Sequence, residues 1–221
     1  MSAAISPTPY AEAPRDCPLC PRLVALRGEL RRDFPHWWNA PVPGFGDPGA
    51  WLAICGLAPG RAGANRTGRA FTGDDSGRLL FQTLARLGLC EGGDGSGAGD
   101  GLVLHGVAIF NAVKCVPPKN KPLPAEIAAC GGAYLAPALA AMAGLEMVVA
   151  LGRIAHDAVV RSSADRPSRH RFAHSAEHLL PNGRILVDSY HCSRLNRNTG
   201  RLTPAMLDSV FARAIALRRA G

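Results

Sequence analysis

Short apolar runs alternate with helical patterns along most of this 221-residue chain, and this alternation restricts the fold more than any other feature. We predict buried strands at residues 51–55, 102–113, 146–151 and 184–190, each followed directly or after a loop by a helical pattern. Strands that alternate with helices are typical of a parallel sheet covered on both faces. We therefore predict an α/β fold whose ligands bind beyond the carboxyl ends of the strands.

The chain has the length of one domain, and we predict a single domain over residues 1–221. Residues 1–14 are rich in Ala, Pro and Ser, so we expect a flexible segment there. Residues 92–101 (GGDGSGAGDG) contain too much glycine to pack, and strand and helix patterns resume directly afterwards. We therefore interpret 92–101 as a flexible loop inside the domain.

The formal net charge of +8 indicates a polyanionic partner, either nucleic acid or a membrane surface, although a merely solubilising surface fits equally well. Pro137 and Glu146 interrupt the longest apolar stretch, residues 133–152, so we predict no membrane-spanning segment. No signal peptide is visible at the N-terminus, and we expect a cytoplasmic protein with reduced cysteines.

Four cysteines from separated segments have spacings that fit a metal site. Cys17 and Cys20 form a C-x-x-C pair, Cys115 ends the second predicted strand, and Cys130 lies inside the next helix. Four thiolates can bind zinc tetrahedrally or anchor an iron–sulfur cluster, and the spacing alone does not choose between them. The C-x-x-C pair alone fits a redox pair or two unrelated cysteines, but the second pair favours a metal or cluster site.

The loop after the first strand, residues 56–77, is rich in glycine and includes Gly56 and Gly60. Such a loop brings backbone N–H groups close to a phosphate or a base, but it lacks the G-K-[ST] ending of a nucleotide-hydrolysing P-loop. Phe71 lies among small and polar residues, which favours a stacking platform over a core position. Asp74 precedes a helix that we expect Ser76 to cap, so its charge either complements the helix dipole or serves chemistry.

The loops after the second and fourth strands carry further polar candidates. The amide of Asn111 offers a donor and an acceptor to a base edge, although Asn111 and Asn120 also fit ordinary turn and loop positions. His191 lies at the carboxyl end of a buried strand. In the loop after it, Ser193 and Asn198 can bond phosphate oxygens with support from arginines.

In order, these loops resemble the motifs of the uracil-DNA glycosylase superfamily, and most closely those of its type B (family 5) iron–sulfur branch. GLAPG…ANRTGRAFTGD resembles the first motif, SYHCSRLNRNTGRLTPAML resembles the last, and the four cysteines resemble the cluster framework. The resemblance runs from about Cys17 to the last helix. It implies a three-layer α/β/α sandwich with a central four-stranded parallel sheet, and a [4Fe–4S] cluster rather than zinc.

The resemblance also implies a monofunctional enzyme that removes uracil, and often hypoxanthine or other deaminated bases, from DNA and leaves an abasic site. His191 would stabilise the departing base anion and Phe71 would stack on the flipped base. Asp74 would stabilise the sugar cation or orient the water, which Asn120 would help to hold. We expect DNA as the partner and a monomeric protein.

Further contacts with DNA follow from the same resemblance. The backbone from Gly56 to Gly60 would contact the base or its sugar. Leu195, beside Arg194, is the candidate for the wedge that fills the vacated position in the base stack.

Two departures from the family pattern concern the chemistry. Related branches place a carboxylate or Asn directly after the first glycine of the first motif, where this chain has Leu57, which cannot activate water. Asn111 occupies the position that reads uracil in an allied branch, so it narrows the expected substrate range toward uracil.

Two other functions remain open: a catalytically silent DNA-binding protein on the same fold, and a different α/β hydrolase that uses Asp74 and His191.

Overall fold

The computed structural model describes residues 12–220, and a six-stranded sheet forms its centre. In chain order the strands are β1 (Phe45–Gly46), β2 (Leu52–Gly56), β3 (Cys90–Glu91), β4 (Val103–Leu104), β5 (Val107–Asn111), β6 (Met147–Leu151), β7 (Glu177–Leu179) and β8 (Ile185–Ser189). The order across the sheet is β1-β5-β2-β6-β8-β7, whereas β3 and β4 pair only with each other.

The four central strands β5, β2, β6 and β8 are parallel, which confirms the predicted core of the sheet. The sheet is wider than predicted, because β1 and β7 add short antiparallel strands at its two edges. The predicted strand over 102–113 is too long. Gly106, with a φ of +65°, turns the chain between β4 and β5, a conformation that favours glycine.

Helices cover both faces of the sheet, as the predicted α/β/α class requires. They are α1 (Pro21–Asp33), α2 (Ala64–Thr67), α3 (Asp75–Arg86), α4 (Pro124–Cys130), α5 (Ala136–Ala141), α6 (Arg153–Ser162), α7 (Arg194–Asn198) and α8 (Pro204–Ala220). A π-helical segment, Gly131–Leu135, joins α4 to α5. Within residues 12–220, no helix is long and apolar enough to cross a membrane.

The alternation of side chains along the strands creates two apolar layers. Leu52 and Ile54 of β2 belong to a buried cluster that includes apolar residues of α3 and α8. Ala53 and Cys55 point to the opposite face, into a cluster with residues of α5 and α6. Because both faces of each central strand are buried, these strands are apolar along nearly their whole length.

The two segments predicted to be flexible lie differently with respect to the described residues. Residues 1–11 of the N-terminal segment lie outside them, whereas Glu12 accepts a hydrogen bond of 2.8 Å from the backbone N–H of Gly44. In the Gly-rich loop, Asp100 forms a buried ion pair of 2.8 Å with Arg69. The flexibility of both segments stays a prediction.

Candidate active site

A cleft of about 250 Å³ opens at the carboxyl edge of the parallel sheet; we call it the base cleft. Its lining includes seven residues proposed from the sequence: Gly60, Phe71, Asp74, Asn111, Asn120, His191 and Ser193. Gly56, an eighth, lies in register with Asn111 at the ends of β2 and β5. Leu57 and Ala58, which belong to the backbone segment 56–60 predicted to contact the base, also line the cleft. Ala64 and Ser76 complete the lining and were not predicted as binding residues.

Gly56 occupies a position where no larger residue fits. A Cβ atom there would lie 2.6 Å from Cζ of Phe71 and 2.7 Å from Oδ1 of Asn111. Phe71 itself has a φ of +53°, an uncommon backbone conformation for a non-glycine residue. The aromatic ring and the amide are therefore held against the strand end by close backbone approach, and the strained turn at Phe71 marks a candidate functional position.

Asp74 directly precedes α3, and its two carboxylate oxygens have different surroundings. Oδ1 accepts hydrogen bonds of 3.0 Å from the backbone N–H groups of Ser76 and Gly77. Asp74 is therefore the N-cap of α3, and the predicted cap, Ser76, was wrong by two residues. Oδ2 lies against Gly60 and Gly63, where a Cβ would approach within 2.9 and 2.4 Å. The glycines leave this oxygen room at the base cleft.

His191 lies two residues beyond β8 and faces the ring of Phe71. The two ring centroids are 6.1 Å apart and the planes are inclined by 26°. Burial lowers the pKa of His191 below the ordinary histidine value, although the negative charge of Asp74 opposes this shift. The neutral imidazole is therefore the favoured form near pH 7.

The side chains of Asn111, Asn120 and His191 make no hydrogen bond to any residue within 12–220. Asn111 is only 3% exposed as a residue, and it lines the cleft. A polar side chain without a protein partner at a cleft can donate to and accept from a bound ligand. Together these groups offer donors and acceptors to a planar polar ligand stacked on Phe71.

The remaining proposed residues lie in or next to α7. Ser193 caps α7 by accepting a hydrogen bond of 3.4 Å from the backbone N–H of Asn196. Arg194 forms an ion pair with Asp75, the first residue of α3, which lowers the pKa of that carboxyl. Leu195 projects into solvent with 71% of its surface exposed, and Asn198 is also exposed.

The four cysteines proposed as metal ligands converge on a second site, which residues of α1 and α4 line. Cys17, Cys20, Cys115 and Cys130 all line one pocket that also includes Tyr134. Cys115 lies in the loop beyond β5 rather than at the strand end, because β5 stops at Asn111. Burial raises the pKa of Cys115 to about 11 and that of Cys130 to about 12, so neither thiol ionises readily without a positive partner.

The spacing of these thiols does not fit a single zinc ion. Zn–S bonds of about 2.3 Å at tetrahedral angles place the sulfurs about 3.8 Å apart. Among the four cysteines, all of them described, no three sulfur atoms lie within 4.8 Å of one another. Two N–H groups point at sulfurs: the backbone N–H of Lys114 lies 3.2 Å from Sγ of Cys130, and Arg27 lies 3.9 Å from Sγ of Cys115.

Fold and cleft together define an α/β/α protein with a polar ligand site at the carboxyl edge of a parallel sheet, where the ring of Phe71 forms one wall. A separate site contains four cysteines. Residues 43–214 match the family described as the uracil DNA glycosylase superfamily. The chain belongs to that superfamily.

Curated relatives distinguish the branches of the superfamily. The type-5 uracil-DNA glycosylase of Thermus thermophilus is 48% identical over 203 residues, which cover 90% of this chain and 92% of the relative. That of Mycobacterium tuberculosis is 42% identical over 205 residues, covering 90% and 76%. The type-4 uracil-DNA glycosylase of Archaeoglobus fulgidus is 36% identical over 115 residues, covering only 52% and 49%. The similarity to type-5 enzymes thus extends over far more of the chain.

Proposed function

We propose that this chain is a DNA repair glycosylase that flips uracil out of DNA and hydrolyses its N-glycosidic bond, leaving an abasic site. One observation carries the proposal: Phe71, Asp74, Asn111 and His191 converge on one cleft, and three of them present polar atoms without protein partners there. The superfamily match supports this function over a silent DNA-binding protein or an unrelated α/β hydrolase.

Recognition of the base begins with Phe71 and Asn111. Phe71 supplies a flat apolar surface on which the flipped base stacks. The amide of Asn111 carries both a donor and an acceptor, which matches the adjacent N3–H and carbonyl of uracil. Hypoxanthine also pairs a ring N–H with a carbonyl, so this amide does not by itself exclude it.

Cleavage requires the enzyme to stabilise charge on both sides of the breaking bond. As the bond from C1′ to the base breaks, negative charge develops on the base and positive charge on the sugar. His191, neutral because of its burial, donates a hydrogen bond to carbonyl O2 and stabilises the anion. Asp74 directs Oδ2 toward the sugar, where the carboxylate stabilises the cation or orients the attacking water.

The groups around these two residues complete the reaction site. Asn120 lines the same cleft, with a φ of +56° that presents its amide from a tight turn. We propose that it holds the attacking water beside Asp74. The loop from Gly56 to Gly60 supplies backbone contacts to the base or its sugar.

The segment after β8 would contact the DNA on either side of the flipped nucleotide. Leu195, the wedge candidate, is exposed and unsupported by the core, as a residue that enters the vacated stack must be. Ser193 and Asn198 are proposed to bond phosphate oxygens, with Arg194 beside them. The ion pair of Arg194 with Asp75 reduces the net charge that this arginine offers to a phosphate.

Cys17, Cys20, Cys115 and Cys130 are proposed to hold a [4Fe–4S] cluster. Their wide sulfur spacing, their burial and the N–H groups near two sulfurs fit a cluster better than zinc. When bound, the cluster supplies a rigid cross-link between α1, the loop after β5 and α4. The purified protein should be brown with broad visible absorption, and a colourless protein with stoichiometric zinc would contradict this assignment.

The test of function is a labelled duplex that carries one uracil opposite guanine. Incubation with the protein followed by hot alkali should cleave the labelled strand at uracil, and omission of alkali should leave it intact. A parallel duplex with hypoxanthine defines the substrate range. An intact strand in the presence of bound DNA would contradict the proposal and favour the silent binder.

We further propose that the protein acts as a monomeric single domain in the cytoplasm.

A further inference from the structure

A second cleft, of about 540 Å³, lies beside the base cleft; we call it the arginine cleft. Arg153 at the start of α6, Arg171 before β7 and Arg201 after α7 line it, together with Phe172 and Tyr190. His191 lines both clefts, so the two clefts adjoin at this side chain.

The three arginines of this cleft carry uncompensated charge. Within residues 12–220, none of the three forms an ion pair or donates a hydrogen bond to a protein acceptor. The arginines of the neighbouring α7 differ, because Arg194 and Arg197 both pair with Asp75. The positive potential on this side of the molecule is therefore concentrated in the arginine cleft rather than on the loop that contains Arg194.

Aromatic rings hold two of the guanidinium groups in place. Cζ of Arg153 lies 5.4 Å from the ring centroid of Phe172, and Cζ of Arg201 lies 4.6 Å from that of Tyr190. A guanidinium placed over a ring leaves its edge N–H groups free, and those groups form the fork that binds a phosphate through two hydrogen bonds. The side chains are thus oriented before any ligand binds.

The segment that carries Phe172 is anchored to the sheet by buried hydrogen bonds. Asp188 of β8, fully buried, lies 2.7 Å from Nδ1 of His156 and 3.0 Å from Nε2 of His178. The backbone N–H of Tyr190 donates to Nδ1 of His174 at 3.2 Å. These bonds fix the wall of the arginine cleft relative to β8, the strand that also positions His191.

We propose that the arginine cleft binds the DNA backbone at the phosphates that flank the flipped nucleotide. The unpaired positive charge of the three arginines favours a polyanion. The guanidinium groups that pack on aromatic rings present paired N–H groups that suit a phosphate. Because the cleft adjoins the base cleft, the bound phosphates would belong to the strand that carries the target base. The identification of that polyanion as DNA rests on the proposed function.

The test is the salt dependence of binding to an undamaged duplex by the Arg153→Ala/Arg171→Ala/Arg201→Ala variant. Each lost phosphate contact lowers the slope of log K against log salt by about 0.9, so we expect the slope to fall by about 2 to 3. Arg161→Ala is the matched control, because Arg161 is exposed at the other end of α6 and should keep the wild-type slope. An unchanged slope in the triple variant would overturn the proposal.

Two further measurements locate the contacts and separate this proposal from the proposed function. Duplexes with single methylphosphonate substitutions next to the uracil should weaken wild-type binding but leave the triple variant unaffected, and equal losses in both would overturn the proposal. The corresponding triple Lys variant should keep the salt slope and lose affinity, since Lys lacks the planar fork. If the wild type fails to excise uracil but the slope still falls, the proposed function fails and the arginine cleft stands.

Discussion

Substitution of Asp74 separates two roles that the structure gives to one carboxylate. Oδ1 caps α3 by accepting from two backbone N–H groups, whereas Oδ2 faces the base cleft. Asp74→Ala removes the cap and the charge together. Asp74→Asn keeps an oxygen that can cap the helix, because Asn is as good an N-cap as Asp, and removes only the charge.

The two roles have different magnitudes and different assays. Loss of an N-cap costs about 1 kcal/mol, which lowers Tm by about 2–4 °C in a chain of this length. Loss of one preorganised electrostatic group lowers the rate by about 10²-fold or more. We therefore expect Asp74→Ala to lose both Tm and excision rate, and Asp74→Asn to lose the rate with Tm changed by only about 1 °C.

The measurements are single-turnover excision from a uracil–guanine duplex and thermal unfolding of the same samples. Thr203→Ala is the matched control, because Oγ1 of Thr203 accepts a hydrogen bond of 3.2 Å from the N–H of Met206 at the start of α8 and Thr203 does not line the base cleft. This variant should lose Tm and keep the wild-type excision rate. A wild-type excision rate in Asp74→Asn would refute a role for the charge in the reaction.

Four further predictions follow from individual contacts. Gly56→Ala should lower excision by about 10²-fold while the protein stays folded, because its Cβ displaces Phe71; an unaltered rate would contradict the close approach. Leu195→Ala should slow excision from duplex more than from single-stranded DNA, whereas Leu179→Ala, at an equally exposed leucine on β7, should change neither. Asp188→Asn should lower the free energy of unfolding in a denaturant titration by about 1–3 kcal/mol, because the amide N–H₂ replaces one of the two oxygens that pair with histidines; a loss under about 0.5 kcal/mol would refute this. Burial lowers the pKa of His191, so excision should stay constant from pH 8 down to the ordinary histidine value of about 6.5 and fall only at lower pH, where the imidazole gains a proton; a fall that begins above that value would contradict the lowered pKa, and a rate that rises on acidification would show that the neutral form is not needed.

The parallel core of the sheet was predictable from sequence because both faces of its strands are buried, which leaves apolar runs that are easily recognised. The edge strands were not predictable, since β1 has two residues and β7 three, too few to show any period. The second strand was overextended because the apolar run continues through the turn at Gly106, whose backbone conformation a hydrophobic pattern does not reveal.

Most of the base cleft was predictable for a different reason: its residues follow strand ends, and the carboxyl ends of parallel strands meet at one edge of the sheet. The cap of α3 was misassigned because Asp74 and Ser76 are both good N-cap residues. The sequence could not predict which charged residues form ion pairs. Asp75 and Arg194 lie 119 positions apart, and the arginine cleft combines residues from three separate segments, so only the tertiary structure shows which arginines remain uncompensated.

The link between the Gly-rich loop and the reaction site makes that loop a natural position for an optical reporter. The carbonyl of Gly95 accepts a hydrogen bond of 2.8 Å from the N–H of Gly73, directly before Asp74, and Asp100 secures the other end of the loop to Arg69. Between these anchors, a side chain added at Gly97 would meet no atom within 4 Å. A fluorophore attached at residue 97 would therefore report DNA binding as a change in fluorescence, while the side chains of the base cleft stay unchanged.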